Sequence, residues 1–252
     1  MDLAGRIIVI TGAARGLGRG FAEACAKAGA QHIIIGDIRD DLGEEAAAAL
    51  RAGGTSAEFC HVDLGDADSI AAFAQTIERR HGHIDGLVNN GAIATGIGGK
   101  TFEEIDVETW DLVMRVNVRG LWLMVKAFAP LLRRSTLGGR IVNLASDTAL
   151  WGAPRLLHYV GSKGAVIAMT RSLARELGPD QIAINAIAPG LVLVEATEYV
   201  PQERKETYIN GRAIQRAQHP DDTVGIIIFL LSKEAGFVTG QTIPVNGGFV
   251  FN

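Results

Sequence analysis

The chain has only two cysteines in 252 residues, Cys25 and Cys60. They form neither a CxxC pair nor a zinc-type spacing, so no disulfide framework and no metal centre is expected. They read as small buried hydrophobes of a reducing compartment. Basic residues are not in excess: 24 Lys and Arg face 28 Asp and Glu, a net charge of −4. The nearest thing to a basic block is Arg79-Arg80 or Arg133-Arg134, and such pairs read as solvated helix ends. A nucleic-acid partner is therefore not expected. No apolar run is long enough to span a membrane; 225–231 is among the longest. Residues 1–5 run straight into a strand without the charged and apolar regions of a signal peptide. A soluble, cytoplasmic protein is the expectation.

Proline is scarce at 7 residues, while glycine is common at 31. With 48% hydrophobic and 21% charged residues, the chain can bury a substantial core. That balance suits a fold with many close backbone approaches, not a disordered chain. No linker or repeat divides it, so one domain over residues 1–252 is expected.

Short apolar, β-branched runs alternate with longer helical patterns. Strands are expected over 7–10, 33–36, 57–62, 86–89, 140–144, 182–187 and 242–245. Helices are expected over 17–28, 43–52, 69–81, 108–134 with an interruption near Pro130, 159–177 and 221–231. Continuously apolar strands between helices predict a parallel sheet covered on both faces. Right-handed crossovers make it a Rossmann-type, doubly wound α/β sheet of about seven strands. The stretch 191–218 reads as irregular and lies where ligands bind in such sheets, at the carboxyl edge. It is a candidate substrate lid.

The first strand runs into Thr11-Gly12-Ala13-Ala14-Arg15-Gly16-Leu17-Gly18. Glycines permit a tight turn and close approach of backbone to a pyrophosphate, and the helix that follows directs free N–H groups at the same anion. A glycine-rich turn alone is weak evidence, because many such turns are only structural. Asp37 adds a second feature, 19 residues after Gly18 at the end of the second strand. A carboxylate there accepts hydrogen bonds from the adenosine ribose and repels a 2′-phosphate, which argues for NAD over NADP. Arg15 and Arg39 complicate this, since either can pair with such a phosphate. The alternative for Asp37 is a loop aspartate that opens the next helix; the ribose role is preferred. Asp63, after the third strand, suits either an adenine contact or a helix cap.

Tyr159 and Lys163 are four apart at the start of a helix, hence on one face. An ammonium near a phenol lowers its pKa toward working pH, and such a tyrosine exchanges protons with an alcohol or ketone. Ser146 stands 13 residues before Tyr159, where a hydroxyl can hold the substrate oxygen. Asn117 lies inside the long helix, where asparagine is a poor former; it reads as a mark of local distortion able to hold a water, or as a half-buried amide.

Together these residues make the chain similar to the short-chain dehydrogenase/reductase family, over essentially its whole length. The resemblance rests on 11–18, Asp63, Asn89-Asn90-Gly91-Ala92, Asn117, Ser146, Tyr159-x-x-x-Lys163, Asn185, Pro189-Gly190 and 239–248. It implies NAD-linked hydride transfer between a secondary alcohol and a ketone. Tyr159 is then the general base of oxidation, Lys163 lowers its pKa and holds the nicotinamide ribose, Ser146 positions the substrate oxygen, and Asn117 anchors a relay water. The resemblance also implies a path for the cofactor. The pyrophosphate follows Gly12, Arg15, Gly16, Leu17 and Gly18; the adenosine lies by Asp37, Ile38, Asp63 and Leu64, with Asn90 and Gly91 on the ribose side. The nicotinamide end meets Tyr159, Lys163, Pro189, Gly190 and the backbone of Val192. A homotetramer with interfaces on the long helices is implied as well.

Two departures stand out. Asn89-Asn90-Gly91-Ala92 replaces the family's usual Asn-Asn-Ala-Gly, and Val194 stands where a threonine often binds the carboxamide. The segments 92–101, 147–158 and 191–218 offer Ile93, Ile97, Trp151, Leu156, Leu157, Tyr199 and Tyr208 as a pocket, which suggests an apolar or aromatic alcohol or ketone. Several of these side chains read equally as lid packing. A 3-oxoacyl-thioester reductase is the alternative, and a cofactor-binding regulator without catalysis is a second one.

Overall fold

The computed structural model describes residues 1–251, apart from the side chain of Ala196. Seven strands, β1 (Ile7–Thr11), β2 (His32–Asp37), β3 (Ser56–His61), β4 (Gly86–Asn89), β5 (Arg140–Leu144), β6 (Ala183–Pro189) and β7 (Thr242–Val245), form one sheet in the order 3-2-1-4-5-6-7. Every pairing is parallel. The helices are α1 (Gly16–Lys27), α2 (Asp40–Ala52), α3 (Ala67–His81), α4 (Val107–Met114), α5 (Leu121–Leu132), α6 (Thr148–Trp151), α7 (Leu157–Leu177), α8 (Gln202–Gly211) and α9 (Asp221–Leu231). Among the described residues no helix is long and apolar enough to cross a membrane.

The alternation of side chains along β1 builds a core on each face of the sheet. Ile7 and Val9 join Ile34, Phe73, Ile77, Phe128 and Val166 on one side. Ile8 and Ile10 join Phe21, Ile33, Ile35, Ile227 and Leu230 on the other. All five residues of β1 are buried, which is why the strand reads as one apolar run. Asp66 caps α3 by accepting the Asp68 N–H, and Arg79, Arg80 and His81 sit in its last turn, where cations oppose the helix dipole.

Two expectations are corrected, and one element is added. The long helix is not broken near Pro130, which lies inside α5; it is broken at Arg115–Gly120, a π-helical turn containing Asn117. The stretch 191–218 is not irregular throughout, because it carries α8. The four-residue α6 was not foreseen; its pattern is too short for periodicity to register.

Strand order reverses between β1 and β4, so the crevice beyond their carboxyl ends is the place for a ligand in this topology. The ends of β1, β2, β4, β5 and β6 deliver Thr11, Asp37, Asn89, Leu144 and Pro189 to that edge.

Candidate active site

The glycine turn is held from two directions. Gly12 and Gly16 have positive φ, +62° and +56°, which glycine alone adopts without strain. A Cβ on Gly18 would meet the Gly12 carbonyl oxygen at 2.2 Å, and one on Gly12 would meet Gly91 Cα at 2.6 Å. Asn90 Nδ2 donates to the carbonyls of Thr11 and Gly12, at 3.0 and 2.9 Å. Thr11 Oγ1 in turn accepts the N–H groups of Asn90 and Gly91. Asn90 and Gly91 therefore brace the turn from β4. A Cβ at Gly91 would lie 3.2 Å from the Gly12 nitrogen and 2.6 Å from the movable end of Leu64, so glycine at 91 keeps this side of the turn uncrowded.

Asp37 is buried at the end of β2, where Oδ2 accepts the Ala14 N–H at 3.0 Å and Oδ1 the Arg39 N–H at 3.1 Å. It is not the cap of α2, which begins after Arg39. Each carboxylate oxygen keeps a lone pair for a further donor. Ile38 beside it is exposed. Asp63 does not cap α3 either, since Asp66 does; it closes a turn by accepting the Gly65 N–H at 2.7 Å.

Unlike α3 and α4, α1 begins at Arg15 without a side-chain cap and has no acidic residue in its first turn. Leu17 and Gly18 fall in that turn, so amide donors and the positive dipole end are left for an anion. A glycine cradle that any Cβ would fill and an uncapped helix start fit the pyrophosphate of a dinucleotide.

Ser146, Tyr159 and Lys163 come together from β5 and α7. Ser146 is buried close to the Tyr159 phenol, near enough to oppose the rise of its pKa. Ser146 also accepts from Thr148 Oγ1 at 2.9 Å and from the Thr148 N–H at 3.3 Å, closing the turn after β5. Lys163 is buried, donates to the Leu144 carbonyl at 2.6 Å, and places Nζ 5.6 Å from the centre of the Tyr159 ring. Burial pushes the phenol up to about 12, with Ser146 opposing it. Burial also brings the Lys163 ammonium down to about 8. The expected lowering of Tyr159 toward neutral pH by Lys163 is thus absent from this geometry. Burial is the leading cause of the rise at Tyr159, and Lys163, bonded to the Leu144 carbonyl, does not counter it.

Asn117 is buried in the π turn, as a distortion of the helix there requires. Its Oδ1 accepts the Ile93 N–H at 2.7 Å, and Nδ2 donates to Ile93 O and Ser162 Oγ. Ser162 donates in turn to the Tyr159 carbonyl at 2.7 Å. The side chain clamps the loop after β4 to α7. Both its N–H groups are engaged, so anchoring a water through them does not fit.

Pro189 ends β6, and Gly190 follows where a Cβ would come within about 3.1 Å of Asp147, Gln218 and Arg212. Val192 is buried and bridges to Gln218. Val194 has no hydroxyl, but Thr197 lies three residues on. Its Oγ1 accepts the Val194 N–H at 3.0 Å and donates to Val192 O at 2.8 Å. Asn185 serves the fold, linking β6 to Val238 and Gln241.

The substrate side is organised by residues that periodicity and motif did not mark. Asp147, next to Ser146, is fully buried and accepts from Tyr208 Oη at 3.1 Å. Burial raises its carboxyl to about 6. Tyr208 of α8 stacks on Phe249 at 4.6 Å, and Trp151 meets both rings edge-on. Trp151 and Tyr208 are therefore lid packing. Tyr199 closes the other side of the lid by donating to Ala94 O at 3.0 Å. Two cavities, of about 110 and 290 Å³, lie beside Arg212, Ala217 and Gln218 and include neither Ser146 nor Tyr159.

A family model described as Enoyl-(Acyl carrier protein) reductase matches residues 12–250. The chain belongs to the short-chain dehydrogenase/reductase family, whose members are oxidoreductases that use a nicotinamide cofactor. It is 36% identical to galactitol 2-dehydrogenase of Agrobacterium fabrum, with 98% of each chain covered. It is 33% identical to the 3-oxoacyl-(acyl-carrier-protein) reductase of Thermotoga maritima, over 99% of this chain and all of the relative. A gluconate 5-dehydrogenase from Burkholderia cenocepacia, solved in complex with NADP and tartrate, superposes with a TM-score of 0.91 at 29% identity, over 98% of this chain and 96% of that one.

Proposed function

We propose that the protein is an NAD-dependent dehydrogenase of secondary alcohols, working reversibly on the corresponding ketones. The observation that carries this reading is the convergence of buried Ser146 and Lys163 on Tyr159 at the carboxyl edge, with Lys163 Nζ 5.6 Å from the ring centre. Bound in the glycine cradle, the nicotinamide cofactor supplies the carbon that accepts or gives the hydride. Ser146 holds the substrate oxygen. In ketone reduction the Tyr159 phenol, protonated well above neutral pH, gives its proton to the developing alkoxide. In alcohol oxidation Tyr159 must first lose that proton, so this direction gains with rising pH. Lys163 supplies positive charge beside the Tyr159 ring and would hold the ribose of a bound cofactor. Asn117 acts as a positioning residue through Ser162.

Asp37 supports NAD over NADP: it is fixed by Ala14 and Arg39 beside the turn, where it opposes a 2′-phosphate. Leu156 lies against the loop at Gly98 and Tyr199 bonds Ala94, so the apolar side chains of these segments, Ile93 and Ile97 among them, support an apolar or aromatic alcohol as substrate. The exposed Trp110, Leu112 and Trp122 of α4 and α5 support a homo-oligomer through these helices. A second reading, reduction of a 3-oxoacyl thioester, is favoured by the similarity to the Thermotoga maritima reductase and by a phenol kept in its acid form.

The test is reduced-cofactor formation with a panel of cyclic, aliphatic and polyol secondary alcohols, NAD and NADP offered separately, beside oxidation of each reduced cofactor with a 3-oxoacyl thioester. Turnover of an alcohol with NAD and little with NADP supports the first reading. Turnover only with the thioester and NADPH overturns it in favour of the second. Loss of no activity in Tyr159→Phe overturns both.

A further inference from the structure

At the amino end of the sheet, away from the cleft, His32, Glu58 and His81 converge from β2, β3 and the last turn of α3. His32 pairs with Ser56 and Ile34 with Glu58, so His32 and Glu58 share the face of the sheet that packs on α3 through Ile34 and Ile77. His32 stands five residues before Asp37, about 16 Å along the strand at roughly 3.3 Å per residue. None of the three takes part in the chemistry at Ser146 and Tyr159.

We infer that His32, Glu58 and His81 form a binding site for a divalent transition-metal ion, of which zinc is the natural occupant, clipping β2, β3 and α3 together. One ligand atom from each residue lies within 4.8 Å of the others. His81 Nε2 is 2.6 Å and His32 Nε2 3.5 Å from the same oxygen, Glu58 Oε1. Metal–nitrogen bonds of about 2.0–2.1 Å place neighbouring tetrahedral ligand atoms about 3.3 Å apart, so closing the site takes movements of about 1 Å. The two imidazoles already face one another, their centres 4.6 Å apart.

The surrounding groups are those that orient such ligands. His32 Nδ1 is hydrogen-bonded to Ser56 Oγ at 2.7 Å, which leaves Nε2 as the free ligand atom. That Nε2 is buried without a hydrogen-bond partner, since its approach to Glu58 is too long to count as one. An ion would satisfy it and would replace the proton that His81 Nε2 shares with Glu58. Arg80 holds the other carboxylate oxygen, Oε2, and so fixes the carboxylate while leaving Oε1 for the ion. Two imidazoles and one carboxylate with a water completing the shell suit zinc, and the same donors suit nickel or copper.

The experiment titrates zinc chloride into the chelator-stripped, full-length protein by calorimetry, alongside Glu58→Gln, His32→Gln and His81→Ala. His61→Ala, which removes the exposed His61–Asp40 pair, is the control. One zinc per chain is expected, weakened at least tenfold in each site variant and unchanged in His61→Ala. Zinc should raise the melting temperature of the wild type but not of Glu58→Gln, a near-isosteric change that keeps the fold. Hydride transfer should be the same in wild type and site variants. No binding by the wild type, binding that survives both Glu58→Gln and His81→Ala, or binding lost with His61 would overturn the proposal.

Discussion

The two walls of the cleft are built in different ways. The cofactor wall, from β1 to β4, is made of backbone: Gly12 and Gly18 touch it, Asn90 and Asp37 tie it with hydrogen bonds to main-chain groups, and a Cβ at either glycine would collide. The substrate wall, from Asp147 through α8 to Phe249, is made of side chains that stack and bury one carboxylate. A backbone cradle tolerates almost no change at its glycines but asks nothing of distant residues. A packed lid can be rebuilt with other side chains, so one fold accepts many substrates. Ser146, Tyr159 and Lys163 lie at the seam between the walls, where the proposed chemistry is placed.

The largest effect should come from that seam. Tyr159→Phe should lower kcat by about 10³-fold, within the usual reach of general acid–base catalysis. Binding of the reduced cofactor, followed by its fluorescence, should change little. If cofactor binding fails as badly as turnover, Tyr159 belongs to the cradle and not to the seam.

Next comes the buried carboxylate of the lid. Asp147 is raised from its ordinary value to about 6, so the folded protein binds its proton more tightly than the unfolded chain does. Its contribution favours folding fully below pH 4 and is lost as pH rises through 6. The shift corresponds to about 3 kcal/mol at most. Denaturant unfolding at pH 4, 5, 6 and 7 should show the wild type losing stability relative to Asp147→Asn across this range. Parallel curves would mean that the carboxylate stays ionised and solvated.

A smaller change should mark the adenosine end. Asp37→Ser should lower the ratio of kcat/KM for NAD over NADP by 10- to 100-fold, about 1.4–2.7 kcal/mol. Part of the cost to NAD will come from the lost Ala14 and Arg39 bonds. An unchanged ratio would assign Asp37 wholly to bracing the turn.

The smallest effect joins the two walls. Glu195, exposed on the lid, brings its carboxylate to 3.8 Å from where a Cβ on Gly16 would stand. Glu195→Gln should tighten binding of the anionic cofactor by about two- to fivefold at low salt, and the difference should shrink at high salt. A salt-independent effect would point to packing instead.

The same division explains what could be read without coordinates. Uniformly apolar strands such as β1 and β2 declared a buried parallel sheet, and β4, β5 and β7 fell where they were expected. Asn117 marked a point of strain in the long helix, but the interruption was expected near Pro130, and the π turn at Arg115–Gly120 came only with the structure. The Tyr159–Lys163 spacing placed both residues on α7, but it could not say that burial would hold the phenol up to about 12. Helix α8 escaped notice because its weakly amphipathic, charged surface gives little period to follow.

What the sequence by itself determined is therefore local and repetitive: strands, helices, a glycine turn where a Cβ cannot fit, and four side chains at family spacing. Tertiary structure alone decided that Trp151, Tyr208 and Phe249 stack on one another and that Asp147 is enclosed beneath them. It alone brought His32, Glu58 and His81 together from three elements. Spacing along a chain carries information about neighbours within a turn or a pleat, whereas desolvation and side-chain contact between distant segments exist only once the chain has closed on itself.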